Sequence, residues 1–122
     1  MAFHVEISPR AFNDLDEISG YIKQHASFQR AQEWFNGITA AIRTLEDMPH
    51  RCPFAEESKE LGREVRLLLY GKRNRQYKVF YSIQKKTRST GTVQVLHVRH
   101  WARKSLNTDQ LRELIGAPPH NS

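Results

Sequence analysis

The 122 residues suffice for one domain and leave little room for two. A hydrophobic fraction of 39% and a charged fraction of 26% exclude a disordered chain, and no apolar run approaches the roughly 20 residues of a membrane-spanning helix. The net charge of +6 is unevenly divided: residues 1–60 carry 6 Lys/Arg and 10 Asp/Glu, whereas residues 61–122 carry 13 and 3. A half at +10 points to a polyanion, to an acidic protein partner, or to a merely solvated surface, and charge alone does not separate these readings. The opening Met1–Glu6 has neither a basic region nor an apolar stretch, so no signal peptide is expected. Cys52 is the lone cysteine, and a cytoplasmic location is the expectation.

In Phe3, Val5 and Ile7, apolar residues alternate with His4 and Glu6, which predicts a short half-buried strand. Ser8-Pro9 reads as an N-cap followed by proline at the first helical position. Ala11, Leu15, Ile18 and Ile22 then mark one helix face, with Asp14, Asp16 and Glu17 placed near the N-terminal end, where the helix dipole favours them. Ser27 caps a second helix whose stripe is Ala31, Trp34, Phe35, Ile38, Ala41, Ile42, Leu45 and Met48, with Pro49 as its stop. The short connection predicts an antiparallel helical hairpin. A long loop, Pro49 to Arg63, leads to three strand-like runs: Val65–Tyr70, Tyr77–Ile83 and Val93–Arg99. Turn-like segments between them make a β-meander. A short helix, Asp109–Ile115, ends at Gly116 and Pro118. The expected architecture is α+β, with the hairpin on one face of a small antiparallel sheet. Residues 1–117 form a single domain, followed by a mobile tail over 118–122.

Strand alternation assigns the candidate site. Pointing the more apolar sets at the helices leaves Arg66, Lys78, His97 and Arg99 together on the open face, with His100, Trp101 and Arg103 where the last strand ends. Cations gathered in this way suit phosphates or carboxylates, and a histidine can move a proton near neutral pH. The alternative is an uncovered face that is polar only because it meets water. No helical histidine pair, thiolate cluster, Gly-rich phosphate loop or G-x-S-x-G motif occurs, so no metal, cofactor or small-molecule substrate is expected.

Several segments resemble the RelE/ParE superfamily of type II toxins. They are Val5 to Ala11, Asp14 to Ile18 with Tyr21-Ile22, Ala31 to Phe35 with Ile38, Ile42, Leu45 and Pro49, Val65-Arg66, Tyr77 to Ile83, and Val95 to Arg103. The resemblance is collinear over roughly residues 3–106. It implies the toxin half of a toxin–antitoxin pair, of ParE-like or plasmid-stabilisation type, neutralised by a cognate antitoxin. Two activities follow from it. ParE-like members poison DNA gyrase and are not thought to be nucleases; RelE-like members cleave mRNA on the ribosome. Cleavage requires a base, an acid and charge-stabilising cations, for which Arg66, Lys78, His97, His100 and Arg103 are the candidates. Binding of target or antitoxin would fall to Arg66, Lys78, Arg99, His100, Trp101 and Arg103. The ribonuclease members commonly have arginine where this chain has Lys78, and several carry a late tyrosine, whereas none follows Tyr81 here. His100-Trp101 does resemble the histidine–aromatic pair of some ribonucleases. The helical hairpin and the two departures favour the ParE side. A plain nucleic-acid-binding module is a third possibility.

Overall fold

The computed structural model describes residues 2–72 and 75–101. Its elements are β1 (Phe3–Ile7), α1 (Pro9–His25), α2 (Phe28–Arg43), α3 (Ser58–Leu61), β2 (Arg66–Tyr70), β3 (Tyr77–Lys85) and β4 (Gly91–His100). Two 3₁₀ turns, Thr44–Glu46 and Pro49–Arg51, follow α2. The expected helix Asp109–Ile115, the tail 118–122 and Arg103 lie outside the described residues. No helix among the described residues is long and apolar enough to cross a membrane.

The four strands form one sheet in the order β1-β4-β3-β2. The meander β2-β3-β4 is antiparallel, as the hairpin connections require. β1 adds a parallel edge, with Phe3 opposite Gly91 and Ile7 opposite Val95, so the sheet is mixed. This pairing depends on the crossover through the helical hairpin, which carries the chain back to the end of the sheet where it began.

Both caps form as the sequence predicts. Ser8 Oγ accepts from Ala11 N at 3.0 Å, and Ser27 Oγ accepts from Arg30 N at 3.0 Å. Only Ala26 and Ser27 separate the helices, and they pack against each other over the sheet. Ala11, Leu15, Ile38 and Ile42 are fully buried against Leu68, Val79, Tyr81, Val93, Val95 and Val98. Burial of each large aliphatic side chain contributes about 1.5–3 kcal/mol.

The second helix ends earlier than its apolar stripe suggests. It closes at Arg43, and Met48 is 73% exposed in a left-handed conformation at φ 50°. The Arg51 guanidinium fastens the segment just past this end: it donates to the carbonyls of Thr44, Asp47 and Met48 and to Thr44 Oγ1. Within the helix the last turn is closed by Thr44, whose backbone N–H donates to Ala40 O, Ala41 O and Ile42 O and whose hydroxyl donates to Ala41 O. Pro49 does not stop α2 but opens the second 3₁₀ turn.

The segment read as a long loop is partly ordered onto the sheet. Leu67 N donates to Pro53 O and Ala55 N to Val65 O, so Pro53–Ala55 covers the outer edge of β2. Ser58 Oγ bridges Arg63 O and Val65 N and fixes the return.

Candidate functional site

The register places β2 with its parity opposite to the one expected. Arg66 stands across from Tyr81, Leu68 across from Val79 and Tyr70 across from Tyr77, all on the helix side. Leu67 and Leu69 turn away, and Leu69 is 48% exposed. Arg66 is therefore not on the open face. Its guanidinium donates to His50 O at 3.1 Å and Cys52 O at 2.6 Å and stacks 4.3 Å over the Phe54 ring. The strand chose this parity because Tyr70 fills the space over α2, where Gly37 has no Cβ to oppose the phenol. Beside Arg66, the His50 imidazole is held below its ordinary 6.5, chiefly by desolvation and then by the guanidinium and Lys85.

In β4 a bulge disturbs the alternation. Phe80 faces His97, but Tyr81 faces Val95, leaving Leu96 as the extra residue. Leu96 then joins Phe80, Ala55 and Val65 in a small second core on the side away from the hairpin. His97 is not an exposed cation either. It is 4% exposed, stacks on Phe80, and its Nδ1 lies 2.5 Å from Asp14 Oδ2.

Asp14 reaches His97 because β1 stops at Ile7, opposite Val95, while β4 continues to His100. Beyond that point the edge of β4 has no strand beside it among the described residues. Ser8 covers the first gap: its N–H donates to Val95 O and its hydroxyl to Leu96 O. One turn into α1, Asp14 Oδ2 accepts Val98 N at 3.0 Å, and Oδ1 accepts Arg10 Nε at 3.4 Å. The carboxylate thus stands where a neighbouring strand would have offered a carbonyl. Its expected role near the helix dipole is replaced by this one, since α1 has no acidic residue in its first turn.

A cleft of about 580 Å³ opens beside this edge. Asp14, Glu17, Ile18 and Tyr21 of α1 form one wall; Tyr77, Val98, Arg99 and His100 form the other. Its lining residues Tyr77 and His100 belong to a ring series: Trp34 to Tyr77 at 5.1 Å, Tyr77 to His100 at 5.1 Å, and His100 to Trp101 at 6.4 Å. Trp101 is 42% exposed, and its backbone N–H donates to Gln76 O, extending the ladder past β4. Burial, followed by the nearby Tyr21, pushes the Tyr77 phenol above its ordinary 10, and Arg75 partly offsets this. Lys78 and Arg99 are cross-strand partners, with Leu69 beyond Lys78.

The fold therefore pairs Lys78 with Arg99 and His100 with Trp101 at one end of β3 and β4, and it draws Arg66 and His97 into separate structural contacts. Asp14, Glu17, Tyr21 and Tyr77 also line the cleft, and sequence reasoning missed them as site residues. One signal was available for Asp14: with Ala11, Leu15 and Ile18 it completes an i, i+3, i+4, i+7 stripe, so a carboxylate sits on the buried face.

Comparison with known proteins agrees with this fold. A family model described as "ParE toxin of type II toxin-antitoxin system, parDE" matches residues 5–104. Among solved structures, one described as "Chromosomal ParDE TA system from P. aeruginosa" is similar in fold, with a TM-score of 0.63 at 16% sequence identity. The match covers 81% of this chain and 96% of that one. A comparison with curated proteins gives no match.

Proposed function

The chain belongs to the ParE toxin family of type II toxin–antitoxin systems, and from that premise we propose that it acts in the cytoplasm as a non-enzymatic toxin, inhibiting DNA gyrase until a cognate antitoxin neutralises it. The observation that carries the non-enzymatic reading is the dispersal of the cleavage candidates. Arg66 is spent on the carbonyls of His50 and Cys52, and His97 on Asp14. Attack of a 2′-hydroxyl on its phosphate requires a base, an acid and cations converging on one atom. Committing Arg66 and His97 to these contacts breaks that convergence.

What remains suits recognition. Arg99 and His100 line a cleft together with Tyr21 and Tyr77, Lys78 is the cross-strand partner of Arg99, and Trp101 stacks on His100; exposed aromatic and cationic groups are common anchors of protein interfaces. An acidic antitoxin segment that folds on binding would match the cations of the C-terminal half.

Purified protein should inhibit supercoiling by gyrase and leave ribosome-bound mRNA intact in primer extension. Full supercoiling at toxin excess would sink the proposal. The RelE-like reading draws on Lys78 and Arg99 being cross-strand partners, with His100 next along β4. It requires codon-positioned cuts that vanish when Lys78 and His100 are replaced together.

A further inference from the structure

The cleft occupies one end of the sheet, and the opposite end carries a second group of cations that the proposed function does not use. No carboxylate occurs between Glu64 and Asp109, so the whole meander is acid-free. At the β3–β4 tip, Lys85, Lys86 and Arg88 fall within four residues, and all three are exposed. Among the described residues none of them is paired with a carboxylate; the ion pairs seen are His4–Glu6, Arg10–Asp14 and His97–Asp14.

The tip is held in shape. Lys86 N and Thr87 N both donate to Thr90 O, and the Thr87 and Thr90 hydroxyls share a hydrogen bond of 2.5 Å. Gly91 has a φ of 156°, and a Cβ there would lie 2.2 Å from Gln84 O, so the turn closes more tightly than any other residue would permit. Fixed cations lose less freedom on binding than cations on a loose loop.

We propose that the β3–β4 tip is a contact surface for the phosphate backbone of duplex DNA, separate from the cleft. Three features select this partner. Residues 84–90 contain no apolar side chain, whereas a protein interface needs an apolar centre and a membrane-binding loop needs something to insert. Interfaces with DNA, by contrast, are polar and strongly positive. The tip carries no aromatic ring on which an unpaired base could stack, which argues against single strands. Its Lys, Arg and Thr side chains are the usual donors to phosphate oxygens. β3 spans nine residues, so the tip lies about 27 Å from the Tyr77 end. That distance leaves the cleft open to a protein while the tip touches DNA.

The test is fluorescence anisotropy of a labelled 20-base-pair duplex titrated with the full chain at several salt concentrations, without gyrase. A failure here is therefore distinguishable from a failure of the gyrase reading. The triple variant Lys85→Glu, Lys86→Glu, Arg88→Glu should bind on the order of tenfold or more weakly. Its slope of log K against log salt should be shallower by about 2–3, since each lost phosphate contact removes roughly 0.9. The charge-matched variant Lys23→Glu, Arg30→Glu, Lys59→Glu should bind nearly as the parent does. Thermal melts confirm that each variant is folded. Absence of duplex binding by the parent, or equal losses in both variants, overturns the proposal. A preference for poly-glutamate or single-stranded RNA over duplex overturns it too.

Discussion

Asp14 and His97, 83 positions apart in sequence, meet at 2.5 Å where the edge of β4 loses its neighbouring strand. Because the carboxylate oxygen accepts, the ring proton belongs on Nδ1. The same oxygen accepts Val98 N, so one buried group serves two donors. Asp14→Ala strips both and leaves them buried, which should cost about 2–3 kcal/mol in urea unfolding. Asp14→Asn keeps an acceptor and should cost less. A double-mutant cycle with His97→Phe should return a coupling of about 1–3 kcal/mol. Additive single effects would show that the pair does not act as a unit.

Much of this fold can be read from the chain before any coordinates. The caps at Ser8 and Ser27, the apolar stripes and the meander follow from local periodicity, which the final structure respects. The pairing of β1 with β4 cannot be read this way, because it is decided by a crossover and not by either strand. The site was legible only in part, for a related reason. Alternation predicts faces as long as a strand stays regular, and the Phe80/Tyr81 bulge shifts the face of Leu96 without any sequence mark. In β2 hydrophobicity favoured the wrong face, because Leu67 and Leu69 are purely apolar whereas Leu68 and Tyr70 share their face with Arg66. Gly37, three turns into another helix, settled the choice by making room for Tyr70.

That relation can be tested directly. A Cβ on Gly37 would fall 1.8 Å from Tyr70 Oη and 2.9 Å from Cζ. Helix propensity alone would make Gly37→Ala stabilising by about 1 kcal/mol. Overpacking should win, giving a net loss of about 1–3 kcal/mol in chemical denaturation. Adding Tyr70→Phe removes the closest atom and should recover part of that loss. If the single variant gained stability, the close approach would be wrong.

Tyr81 gives the fold an alkaline limit. Its hydroxyl donates to Pro49 O at 2.6 Å, and burial, followed by the Cys52 thiol, holds the phenol far above its ordinary 10. A raised pKa means that the folded state keeps its proton while the unfolded chain releases it. The stability this contributes is fully present below about pH 10 and is lost as pH climbs towards the folded value. Tyr77, raised in the same direction, adds to the slope. Tyr81→Phe should cost about 1–2 kcal/mol at pH 7, because Pro49 O loses its donor. The variant should also show a flatter decline in melting temperature above pH 10. An unchanged alkaline slope would assign the effect to other groups.

The separation of Arg66 from Lys78 and His100 predicts that stability and toxicity can be altered independently. Arg66 joins the 49–54 segment to β2 through two carbonyls and the Phe54 ring. Lysine cannot reproduce a planar fork or its stacking, so Arg66→Lys should destabilise the chain by about 1 kcal/mol and leave target inhibition per folded molecule unchanged. Lys78→Ala and His100→Ala, at the other end of β3 and β4, should do the reverse: a change in stability under about 0.5 kcal/mol for Lys78, and growth arrest weakened in both. The readouts are urea midpoints and the plating efficiency of cells expressing each variant. Arg66→Lys abolishing toxicity while still folded would return Arg66 to the functional surface and undo the division drawn here.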